Sequence, residues 1–192
     1  MSRTYRVSNI PAAFNKEDIF KALTTTCIQP GLQNSCTLTL HPSSSGNRQT
    51  GLLFIPIDLP GFTLGQNIDI YSASIRTGPE NRPTRLRVDD NFFGLTSLND
   101  PGDKIIADVV AVTGLGGHAW GSWRSPDGEV MWLADYLPLD IKNCRIMTFG
   151  YNSHLFGSDA DSQDMDDYRR ALLEQVAEAR EGAEVGILSC EV

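Results

Sequence analysis

The stretch 108–123, with the sequence DVVAVTGLGGHAWGSW, constrains the fold of this chain more than any other. The apolar run 109–112 stops at a cluster of three glycines, and His118 and Trp120 follow before the chain turns polar. A buried strand that ends in a glycine-rich turn is how α/β proteins bring backbone N–H groups to a ligand. The stretch therefore predicts a strand, a ligand-facing turn and an α/β fold.

Composition places the chain among globular proteins. Its 192 residues are enough for one core or for two small domains. Hydrophobic residues make up 41% of the chain and charged residues 21%, which is typical of a folded protein and not of a disordered one. No apolar run reaches the roughly 20 residues of a membrane helix, and the N-terminal MSRTYRVSNIP lacks the apolar segment of a secretion signal. We therefore expect a cytoplasmic protein without a transmembrane segment.

The sequence gives little reason to expect a metal or another cofactor. Its four cysteines are scattered and form no CxxC pair, which zinc and redox motifs require, so reduced thiols are expected. They are Cys27, Cys36, Cys144 and Cys190. An acidic run that begins at Asp159 does not fit a calcium loop, because Asp164 and Arg170 replace the required glycine and glutamate.

The net charge of −8 is unevenly distributed along the chain. Residues 1–90 carry 9 basic and 7 acidic side chains, whereas residues 91–192 carry 7 basic and 17 acidic ones. An acidic second half is a poor partner for a nucleic-acid duplex. The asymmetry suggests two domains, 1–90 and 91–192.

Residues 1–90 are predicted to form a small ferredoxin-like α+β unit. Strands are expected over 5–10, 35–40, 51–57 and 84–88, a helix capped by Asn15 over 16–23, and a strand or helix over 68–75. Binding of single-stranded RNA is a minor alternative. In RNA-recognition domains, aromatic rings of the sheet stack on the bases, and here Arg6, Thr50 and Leu52 occupy the positions of those rings.

Residues 91–192 follow the alternation of a parallel sheet covered by helices. Strands are predicted over 104–112 and 144–149. A short helix over 131–137 is expected to end at Pro138, and a long helix over 161–181 at Gly182. The preceding stretch 89–103 is turn-rich and marks a domain boundary near residue 90.

Four runs of the second half together resemble a fungal α/β-hydrolase domain. They are DNFFGLTSLNDP, DVVAVTGLGGHAWGSW, WLADYLP and RIMTFGYNS, all within residues 89–182. Members of that family are lipase- or serine-esterase-like modules, often found in front of the NTPase domain and repeats of NOD-like receptors. The resemblance implies the first half of an α/β-hydrolase sheet, an ester or lipid substrate for a completed domain, and protein partners.

The resemblance also assigns a role to the glycine turn. In that family the strand ends in His-Gly-Leu-Gly-Gly, and this loop supplies N–H groups to the oxyanion hole. The matching residues here are Gly114, Leu115, Gly116 and Gly117. Such donors stabilise the negative oxygen of ester hydrolysis, and loss of one typically costs about 2.7–4 kcal/mol. Thr113 replaces the family's histidine, and Thr113, His118 and Trp120 are candidates for an adjoining pocket.

No catalytic residue is recognisable in the sequence. The family's nucleophile elbow, Gly-His-Ser-x-Gly-Gly, should follow the long helix. The chain instead continues as GAEVGILSCEV, in which Ser189 has no glycine two positions away on either side. With nucleophile, acid and base missing, we expect a truncated hydrolase fragment that hydrolyses no ester and leaves an exposed sheet edge.

Other functions stay open as alternatives. A non-catalytic protein-interaction module is the main one. Nucleotide binding is minor, because Gly114, Gly116 and Ala119 give only a GxGxxA fingerprint without the acidic residue that should follow. His118 is a candidate general base because of its residue type, but it has no recognisable partner, and we expect it to contact backbone or solvent.

Overall fold

The chain forms two compact units in a computed structural model. The structure describes residues 2–26, 33–44, 47–56, 68–77, 82–152, 165–181 and 186–191. One unit comprises residues 1–42 and 47–90, and the other comprises residues 43–46 and 91–192. Both combine helices with strands, so the predicted mixture of α and β structure is confirmed. Among the described helices, none has the length and apolarity that crossing a bilayer requires.

The first unit is built on a five-stranded antiparallel sheet with the order β2-β3-β1-β5-β4. Its strands are β1 (Ser2–Pro11), β2 (Thr37–Pro42), β3 (Arg48–Pro56), β4 (Ile68–Thr77) and β5 (Arg82–Asp89). Helix α1 (Lys16–Thr26) and a short 3-10 turn (Gln33–Ser35) connect β1 to β2. The element left open between strand and helix is strand β4. The unit therefore departs from the ferredoxin-like element order, which has a helix at that place.

Helix α1 begins where the sequence predicts. The side-chain oxygen of Asn15 accepts the backbone N–H of Asp18 at 2.9 Å, which satisfies one of the unpaired donors of the first turn. The helix buries Ile19 and Leu23 completely. One core joins this face to the sheet. Its buried members are Tyr5, Val7, Ile10, Ile19, Ala22, Leu23, Cys36, Leu38, Leu53, Ile55, Leu86 and Val88.

A buried ion pair joins β1 to β5. The Arg6 guanidinium donates to the Asp89 carboxylate at 2.9–3.1 Å, and the two residues are only 7% and 2% exposed. Burial lowers the pKa of Arg6, and the charge and hydrogen bonds of Asp89 oppose this shift. Leu52 is 1% exposed. Neither Arg6 nor Leu52 therefore presents a surface on which an RNA base can stack.

We predict that Asp89→Ala lowers the free energy of unfolding by about 3–5 kcal/mol, because it leaves the Arg6 charge buried without its partner. Urea unfolding followed by far-UV circular dichroism measures the change. Asp90→Ala, which removes the neighbouring exposed carboxylate, is the matched control and is expected to change stability by less than about 1 kcal/mol. Equal effects of the two substitutions would contradict the prediction.

The second unit contains a four-stranded mixed sheet with the order β6-β8-β7-β9. Its strands are β6 (Gly94–Ser97), β7 (Ala107–Val112), β8 (Cys144–Gly150) and β9 (Gly186–Glu191). Strand β7 runs parallel to both β8 and β9, whereas β6 is antiparallel to β8. The parallel pairing that the sequence predicts is present at β7, and β6 adds an antiparallel edge strand.

Strand β6 lies in the stretch 89–103 that the sequence marks as turn-rich. It has only four residues, and the Asn99 side chain continues its pairing beyond the strand end. The Asn99 amide accepts the N–H of Ile146 at 2.8 Å and donates to the carbonyl of Cys144 at 2.9 Å. A strand this short, extended by a side chain, leaves no alternating pattern long enough to recognise.

The helices of the second unit differ from their predicted bounds. They are α2 (Trp132–Asp135), α3 (Leu137–Asp140) and α4 (Met165–Ala179). Pro138 lies in the first turn of α3 and so belongs to a second helix, where its missing N–H costs nothing. The prediction that Pro138 ends this helical segment was wrong. Residues 153–164, which include Asp159 and Asp164, and Gly182 lie outside the described residues.

A second buried ion pair joins β7 to β8. Arg145 donates through Nε and Nη2 to the two oxygens of Asp108 at 2.8 and 2.9 Å, and Asp108 is fully buried. The two residues are cross-strand partners. Just beyond the end of α4, Arg180 places its Nε 3.8 Å from the same carboxylate. The Asp108–Arg145 pair therefore fixes the register of β7 against β8. The contact of Arg180 with Asp108 holds the end of α4 near the same strand.

Candidate functional site at the carboxyl edge of the second sheet

The parallel strands β7 and β8 end side by side. Val112 pairs with Phe149, so the glycine turn after β7 starts next to Gly150. The chain passes from β7 to β8 and then returns through α4 to β9, on the other side of β7. Right-handed crossovers in opposite directions place the two connections on opposite faces of the sheet. The connections after β7 and β8 leave in opposite directions along the sheet, and ligands of α/β sheets bind at the carboxyl ends of such strands.

The glycine turn is closed by a hydrogen bond from the N–H of Gly117 to the carbonyl of Gly114, at 3.1 Å. Gly116 has φ +75°, the conformation that the third residue of a type II turn requires. A Cβ on Gly117 would lie 2.8 Å from the Cβ of Thr113. Two of the glycines are thus required by the backbone itself, one for its φ angle and one for lack of space.

Two neighbouring backbone N–H groups, those of Leu115 and Gly116, take no part in the hydrogen bond that closes the turn. Within the ranges that the structure describes, neither Leu115 nor Gly116 donates its backbone N–H to another protein group. The Leu115 side chain is 57% exposed at the tip of the turn. These two donors are available to a ligand at the carboxyl edge of the sheet.

His118 follows the turn and holds the next segment in place. Its ring Nδ1 accepts hydrogen bonds from the backbone N–H groups of Trp120 and Gly121 at 3.1 and 2.9 Å. The backbone N–H of His118 donates to Ser122 Oγ at 3.0 Å. Both hydrogen bonds to the ring use the Nδ1 lone pair as the acceptor. The expected contact of His118 with the backbone is present, and the nitrogen lone pair that a general base needs is engaged.

Trp120 packs in the interior. It is 4% exposed, and its ring stacks on Phe92 with 5.5 Å between the centroids. Phe92 is fully buried with φ +54°, a conformation that costs a bulky residue about 1–3 kcal/mol. A Cβ on Gly150 would overlap the Phe92 carbonyl and lie 3.0 Å from the Cβ of Ala119. This close approach forces Gly150 to be glycine.

Tyr151 crosses from the end of β8 to the start of the turn. Its hydroxyl donates to the carbonyl of Thr113 at 2.9 Å, and Thr113 is itself 6% exposed. Burial raises the pKa of Tyr151, and a tyrosine phenol is protonated at neutral pH and can donate. The sequence alone assigns no role to Tyr151. The available signal was a polar aromatic residue directly after a buried strand.

Strand β9 ends beside the same turn. Glu191 pairs with Val112, so the carboxyl end of β9 lies next to Thr113. Ser189 pairs with Val110, well inside the strand. A serine at that register position is not at the carboxyl edge, in agreement with its lack of flanking glycines.

The described residues offer no support for a metal site or for a nucleotide fingerprint. Over the ranges that the structure describes, no group of three or more His, Cys, Asp or Glu side chains is placed to hold an ion. The two cysteines with described side chains, Cys36 and Cys144, are buried free thiols. A dinucleotide fingerprint opens directly into a helix, whereas only a 3-10 turn (Gly121–Trp123) follows the glycines before α2.

A scan against models of protein families, a search of curated proteins and a search of solved structures each found no match for this chain.

We predict that Gly150→Ala destabilises the second unit by about 1–3 kcal/mol, because its Cβ would displace the Phe92 backbone. The three tryptophans all lie between residues 120 and 132, so urea unfolding followed by tryptophan fluorescence reports on this unit. Gly121→Ala is the matched control, since its Cβ would meet His118 at an ordinary 3.5 Å. A Gly150→Ala midpoint no lower than that of Gly121→Ala would refute the close approach.

Proposed function

We propose that residues 91–192 form the oxyanion-loop half of a serine esterase- or lipase-like α/β-hydrolase. In this proposal the chain is a fragment of the effector module of a fungal NOD-like receptor, and ester or lipid is the substrate of the completed domain. The observation that carries the proposal is the pair of unengaged N–H groups, Leu115 and Gly116, at the end of a parallel strand.

The order of elements supports the proposal. In α/β-hydrolases the nucleophile stands on a sharp turn after a strand, and a loop after an earlier strand supplies one oxyanion donor. Strand β7 ends in such a loop, and β9 runs parallel beside it with Glu191 level with Val112. A nucleophile turn that followed β9 would therefore stand next to Leu115.

The chemistry follows from the charge that develops on the substrate. Attack on an ester places negative charge on the carbonyl oxygen, and N–H dipoles fixed in advance stabilise it without reorganising. The turn is fixed by the Gly117–Gly114 hydrogen bond and by the positive φ of Gly116. The sequence contains no Gly-x-Ser-x-Gly, and His118 is engaged with backbone N–H groups. The chain as given is expected to stabilise an oxyanion but not to transfer an acyl group.

A non-catalytic interaction module is the second candidate, and one observation favours it. Three large side chains within residues 132–139 are exposed: Trp132 in α2, Tyr136 between the helices and Leu139 in α3, with 40%, 55% and 64% of their surfaces exposed. Exposed apolar side chains that cluster are common at protein interaction sites. This candidate requires no oxyanion turn, so substitutions in the turn distinguish the two.

The hydrolase proposal is tested with this chain and with a version extended through a nucleophile elbow and the remaining half of a hydrolase domain. We predict p-nitrophenyl butyrate turnover in the extended protein and none in the present chain. Turnover in neither protein would favour the interaction module. Turnover with a burst in the present chain would contradict the assignment of the nucleophile to a later segment.

In the extended protein, Leu115→Pro tests the proposed donor directly. Proline is favoured at the second position of a type II turn, so the substitution removes the N–H and keeps the turn. We predict that kcat falls about 10²–10³-fold, the usual effect of losing one oxyanion donor. Leu115→Ala keeps the N–H and is the matched control. Equal kcat values for the two variants would show that the Leu115 N–H stabilises no oxyanion.

A further inference from the structure

We propose that Tyr151 is a positioning residue for the glycine turn and that its ring couples the turn to helix α4. Only the consequence for ester hydrolysis rests on the proposed function. The coupling itself concerns the present chain.

The first contact that carries the proposal is the hydrogen bond from Tyr151 Oη to the carbonyl of Thr113, at 2.9 Å. This carbonyl belongs to the peptide group that leads into Gly114. Because a peptide group is planar, holding its oxygen also sets the direction in which the chain enters the turn. At the other end of the turn, the N–H of Gly117 donates a hydrogen bond to the carbonyl of Gly114. The N–H groups of Leu115 and Gly116 lie between these two fixed points.

The second contact connects Tyr151 to α4. Its ring lies between Phe149, 6.4 Å away by centroids, and Tyr168 of α4, 5.1 Å away. Helix α4 is in turn bound to the sheet at β6, where Gln175 accepts the N–H of Leu95 at 2.8 Å. Tyr151 therefore connects α4 directly to the start of the glycine turn, because its ring packs on Tyr168 and its hydroxyl donates to Thr113.

A purely structural role for Tyr151 predicts a different response. If the hydroxyl only satisfies a half-buried carbonyl, its loss lowers the stability of the whole unit and leaves the turn unchanged relative to the strands. If it positions the turn, its loss loosens the turn while β7 and β8 remain protected. Amide hydrogen exchange separates these outcomes, because it reports local and global opening residue by residue.

The test is Tyr151→Phe in the present chain, with exchange of the Gly117 amide measured by NMR under native conditions. We expect Gly117 to exchange about 2- to 10-fold faster, the effect of one ordinary hydrogen bond, with β7 and β8 amides unchanged. The Thr113 carbonyl carbon is expected to shift as it loses its donor. Tyr136→Phe removes an exposed hydroxyl and is the matched control. Unchanged Gly117 exchange, or an equal increase across β7 and β8, would overturn the proposal.

Two further variants test the coupling to α4. Tyr168→Ala removes the ring that packs on Tyr151 and is expected to speed Gly117 exchange, whereas Tyr168→Phe keeps the ring and is expected to leave it unchanged. Equal exchange in these two variants would overturn the coupling even if Tyr151→Phe itself failed to fold.

The consequence for hydrolysis is measured in the elbow-extended protein. There Tyr151→Phe is expected to lower kcat severalfold and leave KM unchanged, because the turn acts on the transition state. If the extended protein is inactive but Tyr151→Phe still speeds Gly117 exchange, the hydrolase proposal is refuted and the positioning role stands. If the extended protein is active and Tyr151→Phe changes neither the Gly117 exchange rate nor kcat, the positioning role alone is refuted.

Discussion

The candidate site depends on the buried ion pair between Asp108 and Arg145. Both hydrogen bonds of this pair run between adjacent parallel strands, so they select one register out of the several that two apolar strands would otherwise permit. That register places Val112 beside Phe149, and the next residues of each strand form the carboxyl edge. A slip of one residue would turn every side chain to the opposite face and separate Thr113 from Tyr151.

The edge that results is shaped by backbone more than by side chains. Gly150 allows the Phe92 carbonyl to approach the end of β8, and Gly117 allows the turn to close over Thr113. Phe92 keeps an unfavourable φ angle there, held by its full burial and by Trp120. Among the described residues, this rigid frame leaves two backbone N–H groups without a protein acceptor, those of Leu115 and Gly116. A turn with fixed donors and no attached acid or base suits the stabilisation of a negative oxygen, which is why we favour the oxyanion role.

The sequence predicted the parts of this arrangement that local patterns encode. The apolar run before the glycines became β7 and its turn, and Asn15 became the cap of α1. The parts that depend on contacts distant in sequence were missed. Strand β6 is recognisable only by its pairing with β8, and Tyr151 gains its role only because β7 ends next to it. Pro138 was misjudged because a proline that stops one helix also suits the first turn of the next.

In the proposed function, the Leu115 N–H binds the oxygen that becomes negative during ester hydrolysis. The most direct measurement is a crystal structure of the elbow-extended protein after reaction with an alkylphosphonate ester, whose phosphonyl oxygen stands in for the oxyanion. We predict that this oxygen lies about 2.7–3.1 Å from the backbone nitrogen of Leu115. A phosphonate attached to the nucleophile with its oxygen directed away from the glycine turn would contradict the claim.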